Sequence, residues 1–89
     1  MIIIYLVKCR LYLLKDGFKF FFYANEHLPK HIHVSKGDDY AKINLETMTF
    51  VENFFNKSST RKIISITNEN REYFIRSWDE YFKRQKNKF

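Results

Sequence analysis

The chain has 89 residues, of which 45% are hydrophobic and 19% aromatic, and its formal net charge is +6. A chain of this length forms one domain, predicted over residues 1–89, and its two glycines and one proline argue against a disordered or repetitive protein. The single cysteine excludes an internal disulfide and a cysteine-rich zinc site, which favours a cytoplasmic protein. The apolar start at residues 1–7 is too short to span a bilayer and is predicted to be an edge strand or a segment covered by a partner.

The first two predicted strands form a β-hairpin. Residues 10–14 and 18–23 are mostly apolar and compatible with strands, and Asp16-Gly17 between them is a dipeptide that favours a tight hairpin turn. Successive side chains of a strand point to opposite faces, so the second strand has one wholly aromatic face. That face, predicted to point at the core, consists of Phe18, Phe20 and Phe22.

A loop over residues 24–30, marked by Asn25 and Pro29, separates this hairpin from the rest of the sheet. Strands are predicted to follow at 31–36, 40–45 and 47–52, with a tight turn at Gly37 between the first two.

Two helices complete the predicted fold. Asn56 is a suitable N-cap for a helix over residues 57–67, and Asn68 is a candidate break. A second helix is predicted over 69–84, where apolar residues recur at spacings of three and four. Strands followed by helices predict an α+β domain, a small antiparallel sheet of three to five strands with two C-terminal helices packed on one face. The predicted core is Phe20, Phe22, Ile32, Val34, Ile43, Ile63, Ile66, Phe74 and Trp78.

The positive charge is concentrated at the C-terminal end of the chain. Residues 57–89 contain nine Lys/Arg and four Asp/Glu, a net charge of +5, whereas residues 1–56 contain seven and six, a net charge of +1. A basic region of this kind suits RNA, DNA or an acidic protein as partner. A solvated helix face followed by a basic tail at 85–89 explains the same charges.

The strongest candidates for chemistry are two histidines on one predicted strand. His31 and His33 are two residues apart, so their side chains share a face, and Glu26 and His27 lie in the preceding loop. Imidazole and carboxylate groups can act together as an acid–base pair, for which a ribonuclease-like enzyme would also need a cation for the phosphate. Arg71 and Lys30 are the candidate phosphate-binding residues.

Other interpretations of these histidines stay open. Metal-dependent hydrolysis ranks below acid–base chemistry, so no metal site and no cofactor is predicted. The histidines are also explained as outward-facing polar residues of a half-buried strand that hydrogen-bond to the loop or the helices and have no chemical role. Glu26 is likewise explained as a residue that holds the loop through backbone N–H groups.

Two separated segments resemble a known family. They are GFKFFFYANEHLPKHIHVSKGDDYAKI at 17–43 and ENREYFIRSWDEYF at 69–82, and they occur in the order and spacing of the bacterial domain-of-unknown-function family 4160. The family-like core extends over about residues 10–84. The resemblance implies a member of a two-gene, toxin–antitoxin-like pair, with this chain as the toxin-like half and a small acidic protein encoded by the neighbouring gene as its partner. The alternative is a non-catalytic module that binds a protein or a nucleic acid.

Overall fold

A computed structural model describes residues 9–23 and 26–86. The edge strand predicted at residues 1–7, the turn residue Asn25 and the end of the basic tail at 87–89 lie outside the described residues. The chain forms a five-stranded antiparallel sheet followed by two helices, which confirms the predicted α+β class. The elements are β1 (Cys9–Lys15), β2 (Phe18–Tyr23), β3 (His31–Lys36), β4 (Asp39–Asn44), β5 (Thr49–Asn53), α1 (Lys57–Glu69) and α2 (Arg71–Lys86).

The sheet is a simple meander in which each strand pairs with the next one along the chain. The turn between β1 and β2 uses Asp16 and Gly17, whose φ angles are 54° and 84°. Positive φ at both central residues is the requirement of a type I′ turn, and an Asp-Gly pair tolerates it well. The predicted hairpin is therefore confirmed.

The core lies between one face of the sheet and the two helices. The Phe74 ring on α2 stacks on Phe20 of β2 at 5.6 Å between ring centroids, and Trp78 meets the Phe22 ring edge-on at 5.1 Å. All nine residues of the predicted core are buried. Large rings on both layers allow a small domain to bury a core of useful size.

The boundary between the helices differs from the predicted one. Asn56 caps α1 as expected, since its side chain accepts a hydrogen bond from the Ser59 N–H at 2.8 Å. The predicted break at Asn68 is wrong, because α1 continues through this exposed residue to Glu69. Asn70 ends the helix instead, and its side-chain amide donates to the Ile66 carbonyl at 2.8 Å. No helix within the described ranges is both long and apolar enough to cross a bilayer.

The second face of the sheet carries a separate cluster of rings. It includes Phe21 and Tyr23 on β2, His33 on β3 and Tyr40 on β4, with centroid distances to the His33 imidazole of 5.4, 5.0 and 5.8 Å respectively. This face is therefore not a plain solvated surface, and it contains the candidate site.

Candidate functional site

Three predicted site residues meet at the start of β3. The Glu26 carboxylate lies between the two imidazoles, with Oε1 at 2.7 Å from Nε2 of His31 and Oε2 at 2.5 Å from Nε2 of His33. The alternation of a strand puts both histidines on one side, and the loop before β3 brings Glu26 across to them. The candidate ligand atoms of the three residues all lie within 4.8 Å of one another.

Backbone groups and one tyrosine hydroxyl hold the members of this cluster in place. The Tyr23 N–H at the end of β2 donates to Oε2 of Glu26 at 3.0 Å, as expected for a carboxylate that holds the loop. His31 Nδ1 lies 2.8 Å from the Pro29 carbonyl oxygen, and His33 Nδ1 lies 2.7 Å from the Tyr40 hydroxyl. Every ring nitrogen of the two histidines therefore has a polar partner.

The two histidines do not face solvent, because both are buried, but they do bond to Glu26 and to a backbone carbonyl of the loop before β3, as the structural interpretation predicts. His31 is 4% exposed and His33 5%. Aromatic neighbours cover them: the Phe21 ring stacks on His33, and Trp78 of α2 approaches His31 edge-on at 4.9 Å. The Glu26 side chain, at 12% exposure, is the most open of the three.

Burial and the neighbouring groups shift the pKa values of the site in different directions. Burial lowers the pKa of His33, and the Glu26 carboxylate offsets part of this effect. Burial raises the pKa of Glu26, but the Tyr23 N–H and both imidazoles outweigh it, so the net pKa of this carboxyl is lowered. Burial and the nearby Glu52 carboxylate raise the pKa of Tyr40 to about 12.

The hydrogen-bond partners of His31 restrict its protonation. A carbonyl oxygen can only accept, so Nδ1 of His31 must carry the hydrogen that it shares with Pro29. A neutral imidazole with that hydrogen on Nδ1 presents a bare lone pair at Nε2, and here Nε2 faces a carboxylate oxygen at 2.7 Å. Two acceptors at this distance need a hydrogen or a metal ion between them. The cluster therefore holds either one additional proton, on His31 or on Glu26, or a metal ion.

The other predicted site residues lie elsewhere or have other partners. His27 is exposed and lies outside the cluster. The Lys30 ammonium forms an ion pair with Asp79 of α2 at 2.8 Å. The Arg71 guanidinium donates to the Leu45 carbonyl oxygen at 2.8 Å and also contacts the Glu46 carbonyl oxygen at 3.4 Å. Phosphate binding by either cation stays a prediction.

The contacts of Arg71 predict a loss of stability when its guanidinium is removed. Arg71→Leu should lower the free energy of unfolding by about 1–3 kcal/mol, because two carbonyl oxygens at the β4–β5 turn lose a charged donor. Urea unfolding measures this change. Arg76→Leu is the matched control, since Arg76 is exposed on the same helix. Equal stability of the wild type and Arg71→Leu would contradict this anchoring role.

Sequence reasoning did not include Tyr40 in the site, although a signal for it was present. The tight turn at Gly37 pairs β3 with β4 so that His33 lies opposite Lys42 and Ser35 lies opposite Tyr40. Residues two apart on adjacent strands share a face, which puts Tyr40 beside His33. The contact of Trp78 with His31 had no comparable signal, because it depends on how α2 packs on the sheet.

The chain was compared with family models, curated proteins and solved structures. A family model described as Domain of unknown function (DUF4160) matches residues 17–79, a range that contains Glu26, His31 and His33. No curated protein and no solved structure matches the chain.

Proposed function

This chain belongs to the Domain of unknown function (DUF4160) family, and we propose that it is a small enzyme that cleaves RNA at the centre formed by Glu26, His31 and His33. The observation that carries this proposal is the convergence of one carboxylate and two imidazoles from a loop and a strand. Phosphodiester cleavage needs groups that accept and return protons next to the reacting atoms, and these residue types supply them.

Glu26 is the most exposed member of this centre. Its carboxylate is more open to solvent than either imidazole, so a reactant would meet Glu26 first. Exposed cations on the helices suit a polyanionic substrate, and they include Lys57, Arg61, Lys62 and Arg76.

The proposed function has a biological setting, a two-gene pair. The protein is the toxin-like half of a two-gene pair in the cytoplasm, and a small acidic protein encoded by the neighbouring gene restrains it. The positive net charge of residues 57–89 supports an acidic partner, because opposite charges favour association.

A second candidate function is a non-catalytic binding module. It is favoured by apolar side chains exposed on and just after the edge strand β5, where Val51 is 54% exposed and Phe54 69%. An edge strand with exposed apolar groups is a common place for a partner to dock. In this alternative the buried Glu26 cluster only stabilises the fold.

An RNA-cleavage assay with matched variants separates these two functions. Purified full-length protein is incubated with total bacterial RNA, with and without added divalent ions, and the cleaved ends are mapped. We expect wild type and His27→Ala to cleave at the same positions. Glu26→Gln should be slower by roughly a hundredfold or more, because it keeps the size of the side chain and removes the carboxylate.

Growth in a host that lacks the neighbouring gene tests the biological setting. Induced wild type and His27→Ala should arrest growth, Glu26→Gln should not, and co-expression of the neighbouring gene should restore growth. Folded yield is measured for every variant by circular dichroism. Absence of both cleavage and growth arrest from well-folded wild type would overturn the proposed enzyme and leave the binding module. Equal activity of wild type and Glu26→Gln would show that this centre takes no part in RNA cleavage.

A further inference from the structure

We infer that Glu26, His31 and His33 form a binding site for one divalent transition-metal ion of the Zn²⁺ type. Two imidazole nitrogens and a carboxylate oxygen are a ligand set found in catalytic zinc sites, where water or substrate completes the coordination. The inference deepens the proposed function at the same centre: with an ion bound, the three side chains would act as ligands, and a metal-bound water rather than an imidazole would supply the group that gives up and accepts protons. It does not depend on RNA being the substrate.

The separation of the donor atoms fits a single ion after small adjustments. Zinc bonds of about 2.0–2.1 Å in a tetrahedron hold the ligand atoms about 3.3 Å apart. The present Glu26–His31 and Glu26–His33 contacts of 2.7 and 2.5 Å would lengthen slightly, and no pair of donor atoms is separated by more than 4.8 Å. The separations of the donor pairs would therefore have to change by about 0.6 Å to at most about 1.5 Å.

The hydrogen bonds of the ring nitrogens also support a metal site. Nδ1 of His31 donates to the Pro29 carbonyl oxygen, which leaves the Nε2 lone pair directed at the cluster. Histidines that bind metals commonly donate their second nitrogen to a backbone carbonyl in this way, because the bond fixes both the tautomer and the ring orientation.

The remaining two ligands have comparable supports. Nδ1 of His33 lies 2.7 Å from the Tyr40 hydroxyl, whose oxygen can accept a hydrogen bond, and Oε2 of Glu26 accepts from the Tyr23 N–H. Each of the three ligands therefore has an outer partner that holds it in place, which is the usual arrangement around a protein-bound metal. Two isolated surface histidines would lack these supports.

Calorimetry with Zn²⁺ tests the inference on the full-length chain after removal of metals with a chelator. We expect one Zn²⁺ bound per wild-type molecule and the same affinity for His27→Ala. Glu26→Gln should bind at least about tenfold more weakly, since tenfold is the lower bound even for outer-partner substitutions. Tyr40→Phe keeps the aromatic ring and removes the hydroxyl, and it should weaken binding by about tenfold.

A second measurement on the wild type avoids any variant that fails to fold. Nitrogen NMR of the imidazoles should show Zn²⁺-dependent shifts at Nε2 of His31 and His33 and none at His27. Absence of stoichiometric binding, or shifts confined to His27, would overturn the inference in favour of a cluster held by protons alone. Zn²⁺ binding without RNA cleavage would support the metal site and overturn the proposed enzyme. RNA cleavage without Zn²⁺ binding would support the enzyme and overturn the metal site.

Discussion

Replacing Trp78 with alanine should lower the free energy of unfolding by about 3–5 kcal/mol, a large part of the stability of a small domain. The indole is 3% exposed and lies where the Phe22 and Phe82 rings meet it, at 5.1 and 4.6 Å between centroids. Alanine would leave a cavity between α2 and the sheet that backbone shifts can only partly close. Urea unfolding followed by circular dichroism measures the change.

Phe54→Ala is the control for the Trp78 substitution. Phe54 is an aromatic residue with 69% exposure, so its truncation should change the stability by no more than about 0.5 kcal/mol. A cooperatively folding Trp78→Ala variant with stability close to that of Phe54→Ala would show that Trp78 does not hold α2 on the sheet.

His33→Ala should lower the free energy of unfolding by about 2–4 kcal/mol in metal-free protein. The imidazole is 5% exposed, stacks on Phe21, and bonds both Glu26 and the Tyr40 hydroxyl. Its removal creates a cavity and leaves two polar groups short of a partner. Urea unfolding again measures the loss.

The same substitution at His27 provides a matched control, because this histidine is exposed and lies outside the cluster. His27→Ala should stay within about 0.5 kcal/mol of the wild type. Equal stability of the two alanine variants would show that burial and bonding of His33 contribute nothing to folding. If His33→Ala is destabilised as expected, its RNA cleavage must be compared with that of the wild type at equal concentrations of folded protein.

The elements of this fold could be predicted from sequence because their signals are local. Asp16-Gly17 specifies its turn through the φ angles that these residues tolerate, and Asn56 specifies the start of α1 through one side-chain hydrogen bond. The alternation of Phe18, Phe20 and Phe22 marks the core face without knowledge of any other strand. Asn68 is the exception, since an exposed asparagine costs a helix too little to end it.

The sequence by itself also determined that His31 and His33 share a face and that Glu26 precedes them in a loop, because these relations follow from strand geometry and chain order. Only the tertiary structure decided that Glu26 reaches both imidazoles, that Trp78 covers His31, and that both histidines are buried. It likewise gave Arg71 two carbonyl partners 25 and 26 residues away in the chain. The physical reason is the same in each case: such contacts depend on how a loop folds back and where α2 packs on the sheet, and these positions result from the sum of many weak interactions between residues far apart in the sequence.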